Sequence, residues 1–424
     1  MISLGPQPRI LVVALRRLGD VLLTTPLIRS LKQAWPGAAI DALVFRGTEG
    51  ILGGNPDIAE VITMPERRDT GESLTLLRRL WRQYDLALST QSGDRPTLFA
   101  WAAGRQSVGF VEAQGAIARI KWLALDFPVA AASGLHRVHD VLRLAEAIGV
   151  APVPEVVPPS GPVRTGAVPD RPYAVIHAAP KFRYKRWTVD GWQVLAAALD
   201  ARGLTVLATG GEGEHSYLDE VWAGQPEVRR LDGTLSWPEL AGLIGGARLY
   251  VGPDTSVTHL AAATGAPTIA LYGPTDPRLW GPWPASALGT PWDAAGTIQN
   301  HGNVWLVQNP PSCPCSILPR QQEGCLRHCF LGPDLSTPPS HPTTYSCGPF
   351  PPPAFVSVGF EAAGYYTLEL EPDHPLLSGA SDGGEVGAYH HARRAFRVER
   401  LRRRIHEFVP LGLRPGLALA TWEE

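Results

Sequence analysis

Ile10-Leu11-Val12-Val13-Ala14-Leu15 is an unbroken apolar run, followed at once by the polar turn Arg16-Arg17-Leu18-Gly19-Asp20. Leu23, Leu27, Leu31 and Ala34 then recur at helical spacing up to Pro36-Gly37. Six consecutive apolar residues suit a strand covered on both faces, and the change to a helical period marks a strand–turn–helix unit. Working outward, the pattern predicts strands at 39–45, 60–64, 85–90 and 107–110 and a helix at 136–148. Strands alternating with helices imply a parallel sheet wrapped on both sides. The Pro-rich stretch 151–169 reads as a stiff linker, after which the alternation restarts. Strands are expected at 173–178, 204–209, 228–231, 249–251 and 268–272, with helices at 188–201, 213–223, 237–244 and 256–264. The expected organisation is therefore an α/β domain over 1–150, a linker, a second α/β domain over 170–330, and a Pro-rich, basic extension over 331–424. Two open α/β sheets bind ligands between their carboxyl ends.

Composition agrees with this plan. A chain of 424 residues suits two domains plus an extension, and 44% hydrophobic with 18% charged residues is globular. The net charge of −2 argues against a broadly basic nucleic-acid binder. Residues 1–150 nevertheless hold 17 basic against 14 acidic side chains. No apolar run approaches the roughly 18 residues that span a bilayer, and Met1 to Arg9 lacks a signal-peptide pattern. A soluble cytoplasmic protein is expected. The five cysteines all follow residue 312, so no disulfide framework supports the main body. Near the end, Val398, Leu401, Ile405 and Phe408 share a helical face among seven arginines, either a solvated helix or a contact with an anionic membrane surface.

Four stretches carry chemistry. Asp20 stands where the first strand turns into the first helix, as a helix cap or as a general base facing the cleft. Lys181-Phe182-Arg183-Tyr184-Lys185-Arg186 holds two of only four lysines in an arginine-rich chain. Such a loop is either solvated or holds a diphosphate, with Lys185 as a point charge. Thr209-Gly210-Gly211-Glu212 lets a nucleotide approach the backbone, although it lacks the dinucleotide fingerprint. Asp254-Thr255-Ser256 opens an Ala-rich helix that includes His259, and such a helix start can hold an anion. Asp254 could cap that helix, orient Lys185 or bind a sugar hydroxyl. No Asp-x-Asp triplet is present, so the usual carboxylate device for holding a divalent metal on a nucleotide diphosphate is missing. Cys313, Cys315, Cys325 and Cys329 form a candidate structural zinc site, with a transient disulfide or inert thiols as alternatives.

Together these segments resemble glycosyltransferase family 9, the ADP-heptose:lipopolysaccharide heptosyltransferases, over roughly residues 8–330. Gly19-Asp20 with Thr25-Pro26 resembles the acceptor-side motif, Lys185-Arg186-Trp187 the donor-side lysine motif, and Gly210-Gly211-Glu212 the adenosine turn. Asp254-Thr255 with His259-Leu260-Ala261-Ala262 resembles the donor signature. Gly273-Pro274-Thr275-Asp276 with Trp280-Gly281-Pro282-Trp283 is similar to the inner-core, heptosyltransferase III branch. Ser256 departs from the Gly that many members carry there. The resemblance implies a GT-B fold of two Rossmann-like domains, ADP-heptose as donor, a lipid-linked lipopolysaccharide core acceptor, inversion at the anomeric carbon and no required cofactor or metal. It implies Asp20 and Lys185 as catalytic groups, with Gly19, Thr25, Glu212, Asp254, Thr255, Ser256 and His259 binding substrate. A family transferase using another nucleotide sugar or acceptor, an idle nucleotide-sugar binding module and a nucleotide-dependent oxidoreductase are the alternatives.

Overall fold

The structure is a computed structural model that describes residues 2–308, apart from 68, 165, 274, 288, 290, 291 and 294–297, together with two short strands further on. The first sheet comprises β1 (Arg9–Ala14), β2 (Ala39–Phe45), β3 (Glu60–Met64), β4 (Tyr84–Ser89), β5 (Gly104–Val111) and β6 (Phe127–Ala130). All its pairings are parallel, in the order β3-β2-β1-β4-β5-β6. Its helices are α1 (Leu18–Leu22), α2 (Thr25–Ala34), α3 (Thr70–Leu80), α4 (Asp94–Ala103), α5 (Ala116–Ala124) and α6 (Arg137–Ala147). The second sheet comprises β7 (Tyr173–His177), β8 (Thr205–Thr209), β9 (Val228–Arg230), β10 (Leu249–Pro253), β11 (Thr268–Tyr272), β12 (Ile298–His301) and β13 (Val304–Gln308). Around it lie α7 (Val189–Asp200), α8 (His215–Val221), α9 (Trp237–Gly245), α10 (Ser256–Thr264) and α11 (Pro277–Trp280). Its order β12-β13-β11-β10-β7-β8-β9 repeats the doubly wound plan, with only β12 antiparallel. The later strands, β14 (Val356–Phe360) and β15 (Tyr366–Leu370), pair with each other.

Both sheets are α/β sheets of the Rossmann kind, as the sequence implied. Strand order reverses between β1 and β4 in one and between β7 and β10 in the other. At such a switch point the connections leave in opposite directions and open a crevice at the carboxyl edge. α3, α4, α5 and β6 were not anticipated. Most of α3 is exposed, while α5 buries Lys121 and exposes isoleucine and leucine, the reverse of the usual pattern. The extension over 331–424 and its arginine-rich helix lie outside the described residues, apart from β14 and β15.

The linker is fastened along much of its length. Val153 and Val157 donate from their N–H groups to the Ser30 and Thr25 hydroxyls, each at 2.9 Å, and Ser160 donates to the Gly53 carbonyl at 2.9 Å. Gly54 has φ +66°, and a Cβ there would lie 1.9 Å from the Ser160 carbonyl oxygen, so the contact requires glycine. One apolar cluster spans both lobes: Val21, Leu22 and Leu23 of the first meet Val257, Leu260 and Ala261 of the second, with Trp283 among them. The Trp283 indole donates to the Pro154 carbonyl at 2.7 Å, and its ring lies 4.8 Å from that of His136. His136 accepts from the Val138 N–H at Nδ1, so Nε2 carries the proton and donates to the Gly281 carbonyl at 2.9 Å. The imidazole is thereby held as one neutral tautomer, and burial pushes its pKa down to about 3.

Two outcomes are expected. Trp283→Ala should lower stability by about 3–5 kcal/mol, read from the denaturant midpoint, because it empties the seam between the lobes. Acid should destabilise the protein between about pH 6.5 and 3, where the unfolded chain takes up a proton that folded His136 cannot. His177, His139 and His259, also shifted down by burial, act in the same direction. Denaturant midpoints at pH 7 and pH 5 should therefore differ less in His136→Gln than in the parent.

Candidate active site

Each switch point contributes one side of the crevice. β1 delivers the chain to α1, a five-residue helix with Asp20 in its first turn. Arg17, not Asp20, is the N-cap residue, and its side chain makes no cap hydrogen bond. The Asp20 carboxylate is 14% exposed and pairs with the exposed Arg16 guanidinium at 3.3 Å. Beneath lies Arg137 at the start of α6, which sequence reading missed. Its guanidinium is buried and donates to the Thr90 carbonyl at 3.0 Å and to Asp140 at 3.2 Å. Burial draws its pKa down, while the nearby Asp20 carboxylate favours the charged form. The signal for Arg137 was available only as an arginine on the inward face of a helix, which no local motif marks.

On the opposite side, β7 ends in the loop that carries Lys185, and β10 ends in Pro253 before Asp254. The Lys185 ammonium is paired with the Asp254 carboxylate, with the two side chains 17% and 7% exposed. Of the roles open to Asp254, the structure therefore displays the one of orienting Lys185. The cap of α10 is Thr255, whose hydroxyl accepts from the Thr258 N–H at 3.3 Å. The Thr258 hydroxyl in turn donates to the Pro253 carbonyl and meets the Tyr250 hydroxyl at 3.0 Å, which pins the helix start to the strand before it.

The two sides meet at Gly19. A Cβ there would lie 3.4 Å from His259 Cδ2 and 3.7 Å from Ser256 Cα, so the start of α1 runs against the start of α10. His259 is 6% exposed, with no hydrogen-bond partner for Nδ1 among the described residues. Burial shifts its pKa down, with Asp254 and Asp20 opposing the shift and Lys185 adding to it. Those three charges from two lobes therefore converge on one imidazole. Phe182 is a further link: the Arg17 guanidinium lies 5.0 Å and the Lys185 ammonium 5.9 Å from its ring centroid.

Two expected substrate contacts stand apart from this cluster. Thr25 is fully buried; its hydroxyl donates to the Leu22 carbonyl at 2.8 Å and accepts from Val157. In this structure it ties the linker to α2. Glu212 is exposed, in a short 3-10 turn after β8, with its Cγ against Gly233. Neighbouring Glu214 accepts from the Gly211 N–H at 2.8 Å, which sets that turn. Among the described residues, no group of three or more His, Cys, Asp or Glu side chains could hold a metal ion. Cys313, Cys315, Cys325 and Cys329 lie outside the described residues. No helix among the described residues is long and apolar enough to cross a membrane.

The chain is similar to known proteins over much of its length. Residues 73–290 match the sequence model of "Glycosyltransferase family 9 (heptosyltransferase)". The chain is 29% identical to the lipopolysaccharide heptosyltransferase 3 of Escherichia coli, over 62% of this chain and 83% of that one. It is 30% identical to the lipopolysaccharide heptosyltransferase 1 of Pseudomonas aeruginosa, over 66% and 82%. The fold is shared with the solved E. coli heptosyltransferase WaaC with ADP, with a TM-score of 0.57 at 24% identity, covering 71% of this chain and 93% of that one. Two doubly wound lobes, a crevice between their switch points and a match across half of the sequence lead to one assignment: the chain belongs to glycosyltransferase family 9, the heptosyltransferases.

Proposed function

We propose that this enzyme transfers heptose from ADP-heptose to a sugar hydroxyl of the lipopolysaccharide inner core, with inversion and without a metal ion. The observation that carries the reading is the convergence of an acid from one lobe and a cation from the other across one crevice. In this mechanism Asp20 takes the acceptor hydroxyl proton as that oxygen forms its bond to the anomeric carbon. The bond from that carbon to the diphosphate oxygen breaks on the opposite face, and ADP leaves with the electron pair. The transition state is oxocarbenium-like, so the departing charge needs stabilisation as much as the nucleophile needs a base. Lys185 and the first-turn N–H groups of α10 supply it. Asp254 holds the Lys185 ammonium toward the helix start, and the diphosphate competes with that carboxylate for it.

Arg137 fits this scheme as a buried positive charge near the Asp20 carboxylate, fixed in place by the Thr90 carbonyl and Asp140. Glu212 and His259 are assigned to the nucleoside and the donor pocket, and Gly19, Thr255 and Ser256 to the narrow seam where donor and acceptor meet. Thr25 keeps its structural place. The proposed setting is the cytoplasmic side of the inner membrane, where a lipid-linked acceptor would be presented. Relatives named as lipopolysaccharide heptosyltransferases support the acceptor class.

The decisive assay incubates core acceptors with ADP-heptose in competition with other ADP- and UDP-sugars and weighs the products by mass spectrometry. Heptose addition alone is expected; addition of another sugar, or none, would overturn the reading. Asp20→Asn should lower turnover by about 10²–10⁴-fold with donor affinity little changed, and near-normal turnover would remove Asp20 from its role. Turnover should also survive exhaustive EDTA treatment, and the anomeric configuration of the product, read by NMR, should be opposite to that of the donor.

A further inference from the structure

α5 is apolar on the side that faces away from the protein. Its inward residues are Ala118, which packs with Val111 and Leu125, and Lys121, which pairs with Asp94 at 2.7 Å and Glu112 at 3.0 Å. On the outward side Leu123 is 89% and Ile120 64% exposed, flanked by Ile117 at 56% and Trp122 at 43%. A helix bordering water arranges its residues the other way round. The inverted arrangement is held in place, because rolling α5 over would strip Lys121 of two carboxylates and of the Ser92 carbonyl at 2.5 Å. The neighbouring α4 also exposes a leucine. Asp94, which meets Lys121, lies one turn before Leu98, and Leu98 is 47% exposed.

We propose that this face of α5, with Leu98, docks the protein on the surface of an anionic phospholipid bilayer. The inference rests on the proposed acceptor, which is lipid-linked and so requires the first lobe to work at a membrane. α5 follows β5 at the carboxyl edge of the first sheet, the edge from which α1 carries Asp20. Basic side chains outnumber acidic ones over residues 1–150, and Arg119 on α5 itself is exposed. Aliphatic residues sunk among headgroups, an indole at the border and an arginine beside them are the chemistry of interfacial helices. Five side chains on a nine-residue helix and its neighbour make a small face beside the ~800 Å² that each partner of a stable protein complex buries. A bilayer imposes no such minimum.

The test is co-sedimentation of the full chain with vesicles of phosphatidylcholine and phosphatidylglycerol. The double variant Ile120→Ser/Leu123→Ser should partition onto them about tenfold less than the parent. Its turnover on a water-soluble, deacylated core acceptor should stay within about twofold, as for a surface change, while turnover on acceptor embedded in vesicles should fall. Leu74→Ser, which alters a leucine 46% exposed on α3, should change none of these. Equal vesicle binding by parent and double variant, or no binding by the parent, would overturn the proposal. So would a parent dimer in sedimentation velocity that the double variant dissolves, since a second copy would then cover the face. Face-dependent vesicle binding without transfer to any core acceptor would refute the proposed reaction and leave the docking surface standing.

Discussion

The near-contact of α1 with α10 is the constraint on which the site depends. Two helix starts approach across the lobes at residue 19, where a Cβ would stand in van der Waals contact with the His259 ring and the Ser256 backbone. The apolar seam of Val21, Leu22 and Leu23 against Val257, Leu260 and Ala261 lies directly behind that contact and holds it together. The carboxylate of one lobe and the cation of the other are thus brought within one electrostatic neighbourhood by packing, without bonding directly to each other. Free ends for chemistry and a rigid frame behind them are what a displacement reaction between two bound substrates needs.

Charge is arranged in layers around this seam. Lys185 and Asp254 neutralise each other at the mouth of the second sheet, Arg16 meets Asp20 at the rim, and Arg137 sits deeper, tied to a carbonyl and to Asp140. Each buried ion has a counterpart, as the cost of desolvation demands. Among the described residues His259 Nδ1 and Arg137 Nε are nevertheless buried without a hydrogen-bond partner, and burial lowers the His259 pKa.

Much of this was legible in the sequence because the strands of a two-sided parallel sheet announce themselves as apolar runs. β2, β3, β11 and α10 have the expected bounds, and Asp20, Lys185 and Asp254 fall at strand ends where switch-point chemistry belongs. What stayed hidden depends on tertiary partners. The inward Lys121 and outward Leu123 of α5 invert the pattern that periodicity reads, and only the carboxylates of two other segments explain it. Thr25 looked like a ligand because it neighbours the acceptor-side motif, yet a linker residue more than a hundred positions away takes its hydroxyl. Arg137 carries no motif at all. Its meaning comes from the Asp20 carboxylate nearby, and proximity across the chain is invisible to local pattern.

The stretch around Val153–Ser160 that joins the lobes is bonded to the first of them, and Gly281 and Trp283 of the second lobe reach back to His136 and to Pro154 within that same stretch. First lobe, linker and second lobe are therefore knotted at one place, so a relative movement of the lobes must either pivot there or break those hydrogen bonds.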